Sequence, residues 1–118
     1  KRQELIIVTN GNMDPYGPTH KTAITARAME NQAFAVMVNR VGDGDGGLVF
    51  AGGSAVVDPY GQLLCEAGRG ECRMTVELAM EQLQQSRRDY TYIAQRRIRL
   101  PGEQVEHADG LRELIIPS

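Results

Sequence analysis

The stretch from Ala26 to Gly61 runs Ala26-Arg27-Ala28-Met29-Glu30-Asn31-Gln32, then Ala33-Phe34-Ala35-Val36-Met37-Val38-Asn39-Arg40-Val41-Gly42. After a glycine-rich connection it continues Phe50-Ala51-Gly52-Gly53-Ser54-Ala55-Val56-Val57-Asp58-Pro59-Tyr60-Gly61. Ala33 to Asn39 is almost continuously apolar, the pattern of a strand buried on both faces of a sheet covered by helices. Residues 48–58 are strand-like again, interrupted at Gly52-Gly53; glycine inside a strand marks a bulge or a close backbone approach. Asp58-Pro59-Tyr60-Gly61 ends that segment as a turn with proline at its second position.

Outward towards the N-terminus, Glu4 to Val8 is a second apolar run and predicts a strand buried on both faces. Thr9 to Pro18 is a loop, because Asn-Gly and two prolines oppose regular structure. It follows the C-terminal end of a strand, where α/β sheets place ligands. Asn10 and Asn12 offer side-chain amides there, although asparagine also favours turns for its own sake. A helix is expected over 19–31, with Ala23, Ile24, Ala28 and Met29 as its apolar stripe. Arg27 lies three residues from Glu30 and four from Asn31, close enough to interact along that helix, either as a solvated surface pair or buried.

Outward towards the C-terminus, strands are expected over 62–67 and 71–77, joined by Gly68-Arg69-Gly70. In the second, Cys72, Met74 and Val76 alternate with Glu71, Arg73, Thr75 and Glu77. A helix over 78–90 carries a thin apolar face from Leu78 and Leu83. The tail from Leu114 to Ile116 is expected to dock as a terminal strand or reach a partner.

Composition excludes several classes. The 118 residues suffice for one domain or part of one, and 42% are hydrophobic with no Trp, so aliphatic side chains fill the core. A formal net charge of −2 argues against binding nucleic acid. The arginines between Arg87 and Arg99 lack interleaved aromatic residues and read as a solvated or salt-bridged surface. No apolar run approaches the roughly 20 residues of a membrane helix, and no leader is visible. Cys65 and Cys72 do not make a disulfide framework; free, buried thiols in a reducing, cytoplasmic setting are expected.

Three motifs together resemble the C-terminal half of the nitrilase, or carbon–nitrogen hydrolase, superfamily: Arg27-Ala28-x-Glu30-Asn31-Gln32, Asn39-Arg40-x-Gly42 and Phe50-x-Gly52-x-Ser54. The resemblance continues to Arg97. It implies an α/β (α+β) fold, one half of a four-layer α-β-β-α sandwich, with residues 1–118 as an incomplete C-terminal portion of the domain. It also implies cysteine-dependent hydrolysis of non-peptide C–N bonds in amides or nitriles. The family's cysteine nucleophile, glutamate base and lysine all lie before the region matched, so no catalytic residue is expected in this chain. The loop Asn12-Met13-x-Pro15-Tyr16 resembles the family loop bordering the acyl pocket. Asn12 is the first candidate for a substrate contact, with Asn10 and Met13 next. The family's Pro-Thr pattern after the strand is replaced here by Thr9-Asn10-Gly11. No cofactor is implied. The partners implied are a homo-oligomer or the missing N-terminal half, with a small-molecule amide or nitrile bound only by the complete enzyme. A different class remains open: a non-catalytic oligomerising or small-molecule-binding remnant of the fold.

Other chemistries fail on the residues. Asp43-Gly44-Asp45-Gly46-Gly47 has two carboxylates and no distal glutamate, too few for a calcium loop, so no metal is expected. It is read as a flexible loop near the pocket mouth. Gly42-x-Gly44-x-x-Gly47 precedes a strand, not the helix a dinucleotide fingerprint needs. Ser54 sits in no nucleophile elbow. Lys21 and Glu30 stand nine residues apart on one helix, about 13 Å, too far to share a reacting carbonyl. His20 and His107 are read as surface residues.

Overall fold

In the computed structural model, which describes residues 3–91, 103–110 and 112–115, β1 (Leu5–Asn10) and β2 (Phe34–Asn39) pair in parallel. Their connection is α1 (Gly17–Asn31), since parallel neighbours need a long crossover. β3 (Val41–Asp43) and β4 (Val49–Ala51) form a separate hairpin, with a single 3-10 turn at Asp45–Gly47. β5 (Ala55–Val57) pairs antiparallel with β2, and β6 (Leu63–Glu66) antiparallel with β5. The main sheet therefore runs β1-β2-β5-β6. After α2 (Met80–Asp89), β7 (Glu103–Glu106) and β8 (Arg112–Ile115) form a hairpin of their own.

α1 seats Ile24 and Ala28 on one sheet face, against Ala35, Met37 and Val57, with Ile6 and Val8 packed alongside. Burying Ile24 alone is worth about 2 kcal/mol. On the other face the register aligns Ile7, Val36, Val56 and Cys65 in one row across all four strands. Ile7 stays 63% exposed and Val38 49%. Val56 and Phe34 on that face are nonetheless buried, so it is open to solvent around Ile7 and Val38. One helix-covered face and a second, partly open apolar face is half of the α-β-β-α layering.

α1 ends on Gln32, which takes a left-handed φ of 48°. That geometry costs a non-glycine residue about 1–2 kcal/mol. Two backbone bonds close the turn, Gln32 N–H to Met29 O and Ala33 N–H to Ala28 O. Gln32 is 1% exposed, and its Nε2 donates to Ser86 O at 2.7 Å and to Tyr90 O. Arg87 Nε returns a bond to Gln32 O at 3.2 Å. At the other end of α2, Gln82 Nε2 donates to Asp58 Oδ2 at 2.6 Å. Asp58 is buried, and its Oδ1 accepts the Tyr60 and Gln62 amides at 2.9 Å each. α2 buries Leu83 and Ser86.

Several expectations are corrected. Residues 71–77 form no strand: their alternation finds no neighbour to pair with among the described residues. Cys65 therefore lies opposite Val56 instead of Cys72, and the thiols are not both buried: Cys65 is half-buried and Cys72 exposed. β1 is covered on one face only, because no described element packs over Leu5 and Ile7. The expected strand over 48–58 is split at Gly52-Gly53 into β4 and β5, which belong to different sheets. Of the α1 stripe, Ile24 and Ala28 face the sheet, whereas Ala23 and Met29 are exposed. Arg27 and Glu30 meet at 4.0 Å as a solvated surface pair. Arg96, Arg97, Arg99 and Ile116 lie outside the described residues.

The exposure of Cys72 sets a measurable outcome. In the reduced native chain, an aromatic disulfide reagent should modify one thiol quickly and the second slowly; denaturant should equalise them. Two slow thiols without denaturant would contradict the exposed placement of Cys72.

Candidate functional site

The C-terminal ends of β1 and β2 are organised by Asn39, a polar residue closing an apolar strand and only 8% exposed. Its side-chain amide pairs with the backbone of Asn12 in both directions. Asn12 N–H donates to Asn39 Oδ1 at 2.8 Å, and Asn39 Nδ2 donates to Asn12 O at 3.2 Å. The second Nδ2 hydrogen goes to Gly52 O at 2.8 Å. The backbone N–H of Asn39 donates to Ser54 Oγ at 2.9 Å, and that hydroxyl donates to Asn39 O at 3.4 Å. Asn39 thus joins the Asn10–Met13 loop, the Gly52 turn and the start of β5. Ser54 spends its hydroxyl on this network, in keeping with its rejection as a nucleophile.

The three sequence-predicted site residues are placed differently. Asn10 ends β1, accepts the Arg40 amide at 3.3 Å, and lines a small cavity of about 160 Å³ with His20, Ile24 and Arg27. His20 is half-buried at the surface and His107 is exposed. Asn12 has its backbone fixed by Asn39; its Nδ2 is buried and has no partner among the described residues. Met13 bridges to Phe50 of β4, so this loop is pinned to the hairpin. Beside Asn39 the surface opens into a cleft of about 630 Å³ lined by Val38, Arg40, Ser54, Glu71 and Cys72. Arg40 lies over the Phe50 ring, 4.3 Å from its centroid.

Asn39 belongs to one of the three motifs, but its organising role is not legible there. Its partner lies 27 residues away, beyond any local pattern; the available signal is an amide ending a fully apolar strand.

On the other side of the same loop stand two ion pairs. Arg69 forms a two-pronged contact with both Asp14 oxygens, Nη1 to Oδ1 at 3.1 Å and Nη2 to Oδ2. Lys21 Nζ reaches both Glu66 oxygens at 2.8 Å. The hydrogen bond from Arg69, aided by its charge, holds the Asp14 carboxyl below the ordinary carboxylate value, against the opposing effect of desolvation. Asp14 in turn raises Arg69. The folded state thus lowers the Asp14 value. The pair's contribution is present above the ordinary carboxylate range and lost as pH falls through the lowered value.

Among the described residues no three His, Cys, Asp or Glu side chains gather to hold a metal, and no helix is long and apolar enough to cross a membrane.

The layering is that of one half of an α-β-β-α sandwich, and residues 1–88 match the carbon–nitrogen hydrolase family model: the chain belongs to that family. It is 68% identical over 113 residues to an (R)-stereoselective amidase from a Pseudomonas species, covering 96% of this chain and 41% of that protein. It is 40% identical over 65 residues to an ω-amidase of Yersinia enterocolitica, covering 54% of this chain and 25% of that protein. The chain thus spans less than half the length of these relatives. Among solved structures, a carbon–nitrogen hydrolase superfamily protein of Xanthomonas campestris superposes with a TM-score of 0.77 at 29% identity, over 84% of this chain and 37% of that one.

Proposed function

We propose that this chain is the C-terminal portion of a cysteine-dependent amidase acting on a non-peptide carboxamide, with the (R)-enantiomer of a chiral amide as its first substrate to test. The single observation that carries this reading is the 68% identity to the (R)-stereoselective amidase across 96% of the chain.

In this reading the nucleophile, base and oxyanion-stabilising lysine come from sequence preceding the matched region. The local geometry supports that division. Cys65 and Glu66 are neighbours on β6, so they point to opposite sheet faces, and Glu66 faces away to hold Lys21. Cys72 lies outside any strand. Neither cysteine therefore shares a face with a carboxylate and a lysine among the described residues, the set that thiolate attack on an amide carbonyl requires. This chain's part is to shape the acyl side of the pocket. Asn39 sets the backbone of Asn12, and the buried Asn12 Nδ2 supplies a donor still without an acceptor among the described residues, for the substrate or for the domain's other half. The open sheet face bearing Ile7 and Val38 is the seat for that N-terminal half, or for a second copy.

The test joins this chain to the N-terminal part of the Pseudomonas amidase, in place of the matched segment. The fusion should hydrolyse the amide, keep its rate in Cys65→Ala and Cys72→Ala, and weaken in Asn12→Ala; the chain alone should be inactive. Cysteine-dependent hydrolysis by the chain alone would overturn the division of labour. A folded but inactive fusion would overturn the amidase reading in favour of a non-catalytic oligomerising or small-molecule-binding module.

A further inference from the structure

The two ion pairs span one gap and are matched head to tail. Asp14 and Lys21 stand on one side, on the loop leaving Met13 and on the first half of α1; Glu66 and Arg69 stand on the other, at the end of β6 and just beyond it. Between them lies a cleft of about 300 Å³ whose floor includes Gly17, Gly52 and Gly53. Glycines offer no side chain to grip the loop that carries Asn12 and Met13. The β-strand side of that loop is fixed by Asn39 and by Asp14 N–H donating to Val49 O at 2.9 Å. On the cleft side, Arg69 holds Asp14 at the end of this loop, and Lys21–Glu66 ties the first half of α1 to β6. A third tether runs beneath them, Gly53 N–H to Gly68 O at 3.2 Å, which brings the Arg69 segment up to the gap.

All four charged side chains are partly exposed, with 59% and 43% exposure for Arg69 and Asp14. Pairs in such a setting add little to stability, because water and salt screen them. Their geometry does something else. A guanidinium gripping both oxygens of one carboxylate fixes orientation as well as distance. A single-point lysine contact does not do this. Asp14 follows Met13 directly and lies two residues from Asn12, so its orientation is passed along the loop.

We propose that Arg69, acting through Asp14, is a positioning residue for the Asn10–Met13 loop, with Lys21–Glu66 as a second rung of the same clasp. The substrate side of this statement rests on the amidase reading; the loop side does not. Arg69 touches no reacting atom, so its removal should loosen binding more than chemistry.

Two readouts on the fusion described above separate these sides. In Arg69→Gln, amide exchange at Asp14 and Tyr16 should quicken roughly threefold, while Ala28 in α1 is unchanged. KM for the amide should rise about tenfold with kcat within about twofold. Arg69→Lys should recover little of the KM, because it restores charge without the two-pronged grip. Asp14→Asn should reproduce Arg69→Gln. Unchanged exchange at Asp14 and Tyr16 overturns the clasp. Faster exchange with unchanged KM in an active fusion overturns the positioning role. If the unsubstituted fusion folds but is inactive, the amidase reading fails, and exchange alone decides the clasp.

Discussion

Replacing Asn39 by alanine should destabilise the fold by about 3 kcal/mol or more, a large share of the roughly 5–15 kcal/mol that holds a domain together. The change deletes three side-chain hydrogen bonds at once. Each is worth about 1 kcal/mol net, and each abandoned buried partner adds a desolvation cost. The abandoned groups are the Asn12 N–H and the Gly52 carbonyl, while the Asn12 carbonyl keeps the Ala51 N–H at 2.8 Å. Water does not easily reach a residue 8% exposed. Asn39→Asp is the sharper test. It keeps an acceptor for the Asn12 amide but turns carboxylate oxygen towards two carbonyls, so it should be as damaging as alanine at neutral pH. Ser54→Ala, which also strips the acceptor from the Asn39 N–H, should cost less than the Asn39 variants, about 1–2 kcal/mol. Urea unfolding measures all three. A loss below about 1 kcal/mol for both Asn39 variants would mean that the network is incidental.

Gly52→Ala carries the second large effect. Gly52 has φ +63°, and a Cβ there would sit 2.7 Å from the Gly68 carbonyl oxygen and 3.1 Å from Arg69 Cα. Both neighbours are backbone, so neither can swing away. The left-handed geometry costs about 1–2 kcal/mol and the overlap about 1–3 kcal/mol more. Gly53 is the internal control: its φ is +70°, yet nothing lies within 4 Å of its Cβ position. Gly53→Ala should therefore show the conformational cost alone. Thermal unfolding reads the difference, at about 4 °C per kcal/mol in a chain of this size. Equal losses in the two variants would mean that the approach of Gly52 to Gly68 is not tight.

That close approach is legible in the sequence, because a glycine pair inside an apolar strand leaves room for a neighbouring backbone and little else. The apolar runs at 4–8 and 33–39 likewise announce the two strands of the parallel pair, and three short motifs carry the family. Residues 71–77 mislead for a definable reason. Strict alternation reports that a segment would suit one buried face, but a strand also needs an edge to pair with, and that edge is not written locally. The two-sided burial expected for β1 fails on similar grounds: an apolar run reports that a segment suits burial, not what packs over it, and among the described residues Leu5 and Ile7 are uncovered. Within the site, Asn12 stands out in the sequence as an amide on a loop at a strand end. The groups that hold its loop, Asn39 and the Asp14–Arg69 grip, span 27 and 55 residues and stay invisible to spacing.

The anchoring of α2 leads elsewhere. Gln82 and Ser86 are one turn apart on the same helical face, and one meets Asp58 while the other meets Gln32. Rotating the helix by a single residue, about 100°, would forfeit both meetings. Its place is therefore set from its own surface, and the covalent connection arriving from β6 has no say in it. Beyond Gly70 that connection is exposed and irregular through Thr75. Lengthening a flexible connection costs only about 0.6 kcal/mol per doubling. The segment around Arg73–Thr75 is thus a natural splice point, where a fluorescent reporter or an affinity handle can be inserted without shifting the helix that follows.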